Sequence, residues 1–302
     1  MLWLVAALLV SVVSTIGTIV DSHLLSKKMP SLSSYLIPMS ITQLIAACVM
    51  LAVFPFHNNG SFMHILVGFG SAILNACSIL IVLNALRKSE VSRVIPIISV
   101  SPIFIALLSI PLLGEKLGYW QWLAILMTVI GAILISLQRS HGDRKTRLHK
   151  SLFILLLAAL ISAICSIGYK YALETMSVWN MYSLTGICIA VIILSYSVRK
   201  GNLLELKNLP QRTPKIGLVV ANMCIGIAGT ILLFVAVRNG PVALVNAILN
   251  VRPAFVFLLS LGLSRFFPDF IMERLNSSTV LLKAVAVLLM TGGVIIISLT
   301  SR

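Results

Sequence analysis

Arg252 and Pro253 stand near the middle of an apolar stretch that runs from Arg238 to Ser264. The roughly 23 residues after Pro241 are long enough to cross about 30 Å of hydrocarbon, which places Arg252 near the bilayer midplane. A guanidinium at that depth costs at least about 2.5 kcal/mol, so it is expected to face a water-filled cavity or a protein partner. Arg252 is therefore a candidate ligand for a carboxylate or phosphate group. The alternative is an arginine that packs against backbone carbonyls and serves assembly only.

Pro253 adds a second irregularity to the same stretch. It has no N–H to donate to the carbonyl of Leu249, so it is predicted to loosen or kink the helix just after the charge. Freed backbone at that depth is tolerated where it lines a cavity or is buried in protein. Asn246 and Asn250 share a helix face and are candidate substrate ligands, or else they bond across helices for about 0.6 kcal/mol each. On an ideal helix Arg252 lies about 160° from Asn250, so only a distortion at Pro253 would bring all three together.

The elements that carry these residues belong to an internal duplication. At a shift of 151 positions, identical residues pair in widely separated parts of the chain. The pairs are Ser11 with Ser162, Ile16 with Ile167, Gly17 with Gly168, Arg87 with Arg238, Val91 with Val242, Pro102 with Pro253, Phe104 with Phe255 and Ser109 with Ser260. The chain is therefore interpreted as a first repeat over 1–138, a basic linker over 139–151 and a second repeat over 152–302. Pro102 and Pro253 are the predicted hinges.

The composition predicts an all-α integral membrane protein. Hydrophobic residues make up 59% of the 302 residues, charged residues only 10%, and the mean hydropathy is +1.06. These values leave too few polar groups to cover a soluble domain. Ten apolar runs read as transmembrane helices, at 2–25, 33–54, 62–86, 92–113, 119–138, 152–173, 179–198, 214–237, 241–264 and 279–299. The net charge of +15 is spread over short loops, which argues against a nucleic-acid partner and for a lipid bilayer.

The loops predict the orientation of the chain. Eighteen of the 23 Lys and Arg residues fall in the loops that follow odd-numbered spans, and Lys116, Arg238 and Arg302 fall on the opposite side. The positive-inside rule then puts the eighteen in the cytosol and both termini outside a plasma membrane. Five spans per repeat is an odd number, so the two repeats are expected to be inserted upside down relative to each other. Such an inverted repeat can open one site to either face in turn.

A segment of the first repeat resembles a known family. The sequence VSPIFIALLSIPLLGEKLGYWQWLAILMTVIGAILISL, at 100–137, is similar to the end of the EamA repeat of the drug/metabolite transporter superfamily. The resemblance rests on Pro102, Ala106, the turn at 114–117, Gln121 and Gly131. It implies two copies that make ten spans and a secondary transporter of a small metabolite, without naming the substrate. The second copy departs from the pattern, because extra residues precede Glu273 and leave the conformation of the 265–278 loop open.

Lys170 in the sixth span resembles the lysine found towards the end of the first span in many EamA repeats, and Ile19 occupies the equivalent place in the first half. Lys170 and its neighbour Tyr169 are therefore candidate substrate-binding residues. The alternative is a lysine that extends to the membrane interface between tyrosine anchors. Asp21 and Glu174 lie near span ends, where an interfacial position is expected and a proton-coupling role is an alternative.

The remaining residue types exclude several classes of function. The five cysteines all fall within apolar spans, without a Cys-x-x-Cys pair or a histidine at ligand spacing, so no metal site or disulfide framework is expected. The sequence has no Walker A motif, Gly-x-Ser-x-Gly, His-Glu-x-x-His or paired carboxylates within a span. No cofactor and no enzyme activity are therefore predicted. The favoured function is transport of an anionic or zwitterionic metabolite by alternating access, and the alternative is a non-transporting scaffold or accessory subunit with the same fold.

Overall fold

A computed structural model of the chain describes residues 2–24, 29, 31–56, 62–88, 97–136, 148–198, 212–266 and 277–300. The described residues form eleven α-helices. They are α1 (Leu2–His23), α2 (Leu32–Val53), α3 (Phe62–Lys88), α4 (Ser101–Leu113), α5 (Tyr119–Ser136), α6 (Leu148–Ala172), α7 (Val178–Ser197), α8 (Arg212–Asn239), α9 (Val242–Leu249), α10 (Arg252–Phe266) and α11 (Ser277–Thr300). Most of the predicted linker and of the 265–278 loop lies outside the described residues.

The described helices follow the ten apolar runs of the sequence. Eight candidate spans are long and apolar enough to cross a membrane, and the stretch Val242–Leu259 counts as one of them although it joins two helices. Two shorter apolar helices, Ser101–Leu113 and Tyr119–Ile135, complete the set of ten. The described part of the chain contains no strand. The prediction of an all-helical integral membrane protein is confirmed.

Helices of the two predicted repeats pack mainly against each other. The largest helix contacts pair α1 with α8, α2 with α7, α3 with α6 and α5 with α11. The fourth span of each repeat packs on the first span of the other, because α4 contacts α6 while α9 and α10 contact α1. Each pairing therefore has a counterpart when the two repeats are exchanged.

Individual contacts recur in the same way. Gly17 on α1 lies against Asn222 on α8, and Gly168 on α6 lies against Ser71 on α3. Gly168 lies 151 positions after Gly17, and Asn222 lies 151 positions after Ser71, so the two helix crossings are equivalent. A glycine at each crossing leaves room for the facing side chain.

The last helices of the two repeats cross at glycines as well. A methyl group at Gly131 on α5 would lie 2.8 Å from the Ala286 carbonyl oxygen, and one at Gly293 on α11 would lie 2.9 Å from the Ala124 carbonyl oxygen. These two contacts are equivalent at a shift of 162 rather than 151. The second repeat therefore gains eleven residues before its last helix, in the loop where the sequence departs from the family pattern.

Contacts near the helix ends sort the loops into two faces. Trp3, Glu115, Lys170 and the turn around Gly240 meet at one end of the bundle, which we call the Lys170 face. The end of α1, the start of α2 and the first half of α8 meet at the other end, which we call the Asp21 face. This grouping agrees with the alternation of loops on which the orientation prediction rests.

Candidate functional site

The fourth span of each repeat is interrupted at the same place. The chain turns at 99–100 before α4 and at 250–251 between α9 and α10. The backbone hydrogen bonds at the two turns join equivalent residues, 151 positions apart. Val100 N donates to Ile97 O at 3.3 Å and Val251 N to Ile248 O at 3.0 Å. The fourth and ninth spans are therefore interrupted at equivalent positions, just before Pro102 and Pro253, the two predicted hinges.

The break lies before Arg252, whereas Pro253 was expected to kink the helix after the charge. Helix α9 ends at Leu249, and α10 begins at Arg252 with Pro253 in its first turn. Proline is tolerated in a first turn because the N–H groups there have no helical partner. Pro102 holds the corresponding place at the start of α4. The missing donor to Leu249 thus ends one helix and allows another to start.

The two breaks contact each other. The Asn250 side-chain amide donates to the Ser99 carbonyl at 2.8 Å, and these residues are 151 positions apart. Ser11 on α1 donates from its hydroxyl to the Ile248 carbonyl at 3.2 Å, beside the second break. Backbone groups released by the breaks are thus partly satisfied inside the protein, as the interior of a membrane requires.

Arg252 is the first residue of α10 and lies directly at the break. Its side chain is partly buried, and its Nε is buried without a hydrogen-bond partner among the described residues. Val251, Ala254 and Phe257 next to it are buried in an apolar cluster with residues of α5 and α11. The start of α10 also carries the positive end of a helix dipole. A guanidinium and a helix N-terminus thus place positive charge at the break, where no carboxylate of the described residues forms a salt bridge with Arg252.

The two asparagines that were candidate substrate ligands, Asn246 and Asn250, donate their side-chain amides to backbone carbonyls. Asn246 donates to the Val242 carbonyl at 2.9 Å within α9, and Asn250 holds Ser99. Only Asn250 therefore lies at the break itself. Its role in the structure is to join the two repeats through their interrupted helices.

Tyr169 and Lys170 are placed apart from that break. The buried Tyr169 hydroxyl donates to the Ser71 carbonyl at 3.4 Å, and its ring meets Phe234 edge to face at 5.4 Å between centroids. Lys170 donates from Nζ to the carbonyls of Val237 at 2.9 Å, Arg238 at 3.1 Å and Gly240 at 2.9 Å. Its ammonium group therefore caps the C-terminal end of α8.

The turn that Lys170 caps is held from the other repeat as well. Glu115 accepts a hydrogen bond from the Val242 N–H at 2.6 Å, at the N-terminus of α9. Trp3 packs so closely on Gly240 that a methyl group there would meet the indole at 2.5 Å. Gly114, with φ of +66° at the end of α4, allows the chain reversal that delivers Glu115. The glutamate of the family motif thus anchors the ninth span.

Sequence reasoning missed a second polar cluster, at the Asp21 face. Asp21 accepts hydrogen bonds on one carboxylate oxygen from the Tyr35 hydroxyl and from the Asn222 amide. Asn222 also donates to the Gly17 carbonyl at 3.4 Å and is 2% exposed. The signal that could have found this cluster is an acidic residue, a tyrosine and an asparagine within three apolar runs.

Lys283 was counted with a loop, but the structure places it inside α11. It is 5% exposed, and its Nζ lies 5.1 Å from the centroid of the Phe257 ring. The last helix begins at Ser277, which carries this lysine into the packed region. Among the residues that the structure describes, no group of histidine, cysteine or acidic side chains could hold a metal ion.

The described helices define a multi-pass helical membrane protein. The model of the EamA-like transporter family matches residues 1–137. The first five spans of the chain thus match the EamA-like transporter family, in agreement with the resemblance in 100–137.

A solved crystal structure titled only "Crystal structure of protein" is similar to the whole chain. It matches with a TM-score of 0.69 and 18% sequence identity, covering 100% of this chain and 96% of that chain. At this level of identity the similarity shows the fold alone. No curated protein matches the sequence.

Proposed function

We propose that the chain is a secondary transporter that moves a small anionic or zwitterionic metabolite by alternating access between two inverted halves. The observation that carries this proposal is the pair of broken helices that meet at Ser99 and Asn250, beside the unpartnered Nε of Arg252. Broken helices at the interface of two repeats are a recurring way to build a transport site, because their free ends present charge and backbone groups to a ligand. The alternative is a scaffold with the same fold that moves nothing.

The helix pairing supports the inverted arrangement. Each repeat has five predicted spans, and the largest helix contacts between the repeats have counterparts when the repeats are exchanged. An odd number of spans requires the second repeat to enter from the opposite side of the bilayer. The contact between Ser99 and Asn250 joins equivalent positions, so a pseudo-twofold axis would run between them.

The chemistry of the break favours an anionic group on the substrate. Arg252 is the one cation on the described helix starts at the two breaks, and α4 and α10 both begin there with their positive dipole ends. Among the described residues, no carboxylate forms a salt bridge with Arg252. A carboxylate or phosphate would supply the missing partner.

Orientation is part of the proposal. From the loop charges we propose that the Asp21 face lies in the cytosol and that both termini lie outside a plasma membrane. Single cysteines at positions 140–150 in a cysteine-free background should resist an impermeant thiol reagent in intact cells, while one at Asn58 should react. The opposite labelling pattern would reverse the assignment of faces.

The experiment for the function begins with a thermal-shift screen of the purified protein against metabolites. A ligand at 100 times its dissociation constant stabilises the folded state by about 2.7 kcal/mol. Compounds that stabilise the protein are then tested for flux in proteoliposomes. Absence of flux for every stabilising compound would favour the scaffold.

Arg252 variants test the substrate class. Arg252→Lys keeps the charge but loses the bidentate geometry, so binding should weaken by about tenfold or more, and Arg252→Gln should weaken it further. Size-exclusion profiles show whether each variant folds. A well-folded Arg252→Gln protein with unchanged affinity would exclude Arg252 as the ligand, and wild-type transport of quaternary ammonium compounds would refute the anionic class.

A further inference from the structure

Asp21 joins helices that belong to different repeats. It lies at the end of the first candidate span, partly buried, and its partners are Tyr35 on α2 and Asn222 on α8. Helices α1 and α2 belong to the first repeat and α8 to the second. One carboxylate oxygen thus accepts a bond from within its own repeat and a bond from the other repeat.

The contact sits within an apolar seal. Leu24, Leu36, Ile193, Val219 and Met223 are buried together around Tyr35 at this face. Asn222 lies on α8 between Val219 and Met223, so its amide crosses the seal where the two repeats meet. Opening a path through this face would have to separate these groups.

Asn222 is only partly satisfied in the closed arrangement. Its Nδ2 bonds Asp21 and the Gly17 carbonyl, but its Oδ1 is buried without a partner among the described residues. An unpaired buried acceptor is a cost that solvation on opening would relieve. The hydrogen bonds to Asp21 therefore stabilise the closed contact, while the unpaired Oδ1 of Asn222 favours opening. A contact with these two opposing contributions can change between a closed and an open state.

We propose that Asp21 is a proton-binding site whose protonation loosens the contact with Asn222 and so favours opening of the Asp21 face. Hydrogen bonds to an ionised carboxylate are about twice as strong as those to a neutral acid. Loss of the charge weakens the bond across the repeats and the bond from Tyr35 together. This inference rests on the proposed function, because it names what controls one face of the same transport path.

The structure describes few other titratable or charged side chains on the helices that pack near Asp21, namely α2, α8, α9 and α10. Apart from Tyr35 they are Cys48 on α2, Lys215, Cys224 and Arg238 on α8, and Arg252 on α10. None of them is recorded in an ion pair or hydrogen bond with Asp21. Lys215 is two turns before Asn222 on α8, and it supplies a control. The side chain of His23 lies outside the described residues.

The test measures access to the seal without any substrate. Val219→Cys in a cysteine-free background is labelled with a small thiol reagent over a range of pH, with Asp21 intact and with Asp21→Asn. The second protein corrects for the pH dependence of the thiol itself. At alkaline pH labelling should be about tenfold faster with Asp21→Asn, and at acidic pH the two rates should converge. Equal rates at every pH would overturn the proposal.

Two further variants keep the test decisive if Asp21→Asn folds poorly. Tyr35→Phe removes one donor to the carboxylate and should move the midpoint of the pH response upward by about one pH unit. Lys215→Met should leave the response unchanged. An unmoved midpoint in Tyr35→Phe, or loss of the response in Lys215→Met, would show that Asp21 is not the site.

Flux measurements separate this inference from the proposed function. If labelling follows Asp21 and no metabolite is carried, the proton site stands and the transport proposal fails. If a metabolite is carried and Asp21→Asn shows the same pH dependence of flux and labelling as the wild type, the transport proposal stands and the proton site is wrong.

Discussion

Lys170→Met tests what this lysine does. In the structure its ammonium group holds three carbonyls at the end of α8, at 2.9 to 3.1 Å. From the sequence, Lys170 was a candidate substrate ligand, with a lysine that extends to the membrane interface as the alternative. The two roles predict opposite results, because a helix cap is needed for folding and a substrate ligand is needed for binding.

The expected loss of stability follows from the contacts. A cation at a partly buried helix C-terminus contributes up to about 2 kcal/mol. Carbonyls left without partners in this partly exposed turn add about 1 kcal/mol. We expect Lys170→Met to lower the free energy of unfolding by about 3 kcal/mol. Glu115→Gln keeps an acceptor for the Val242 N–H and loses only the charge, so it should cost about 1 kcal/mol.

The assay is unfolding by titration with sodium dodecyl sulfate in mixed micelles, followed by circular dichroism. Lys116→Met is the matched control, because Lys116 is exposed beside Glu115 and should change stability by less than about 0.5 kcal/mol. The double variant Lys170→Met with Glu115→Gln should cost less than the two separate losses together, since both residues hold the same turn. A Lys170→Met protein of wild-type stability that binds its metabolite more weakly would refute the cap and restore the substrate role.

Two further predictions concern helix crossings and breaks. Gly131→Ala and Gly293→Ala should each destabilise by about 1–3 kcal/mol in the same unfolding assay, because the new methyl group would meet a backbone carbonyl oxygen at 2.8 or 2.9 Å, while Gly70→Ala, which meets nothing within 4 Å, should be neutral. Pro253→Ala and Pro102→Ala should leave stability almost unchanged, because both prolines lie in first turns, and should slow flux in proteoliposomes if helix breaks take part in the conformational change. Flux at the wild-type rate would make both prolines packing residues.

The sequence predicted the helices well because length and apolar composition are local properties. Most predicted runs match one described helix to within a few residues. The ninth run covers two helices, α9 and α10, and the start of the fourth falls outside the described residues. The break at Pro253 was also local, since a missing N–H frees the Leu249 carbonyl wherever the helix packs. The position of Arg252 after the break, by contrast, could not be predicted from the neighbouring residues. It depends on where the chain restarts, and the contacts with Ser99 and the apolar cluster around Phe257 lie beside that restart.

Residues that act across the fold could not be assigned from the sequence. Lys170 reaches a turn about 70 positions away, and Glu115 reaches the start of a helix 127 positions away. The sequence shows both as charged residues near span ends. The neighbouring residues, however, do not predict which helix end each side chain contacts. Asp21 was taken for an interfacial residue for the same reason, since its partner Asn222 lies 201 positions away.

The two faces are held by different chemistry, and this difference gives the proposed cycle a direction of control. At the Lys170 face, Glu115 and Trp3 of the first repeat contact the turn between α8 and α9 in the second repeat. Lys170 donates to backbone carbonyls at the end of α8, and Glu115 accepts from the backbone N–H at the start of α9. At the Asp21 face the polar bond between the repeats passes through one carboxylate. On the proposed mechanism one face must loosen while the other stays closed. A proton acting on Asp21 weakens one face and leaves the helix-end contacts of the other intact, so it can bias the equilibrium without unlocking both sides at once.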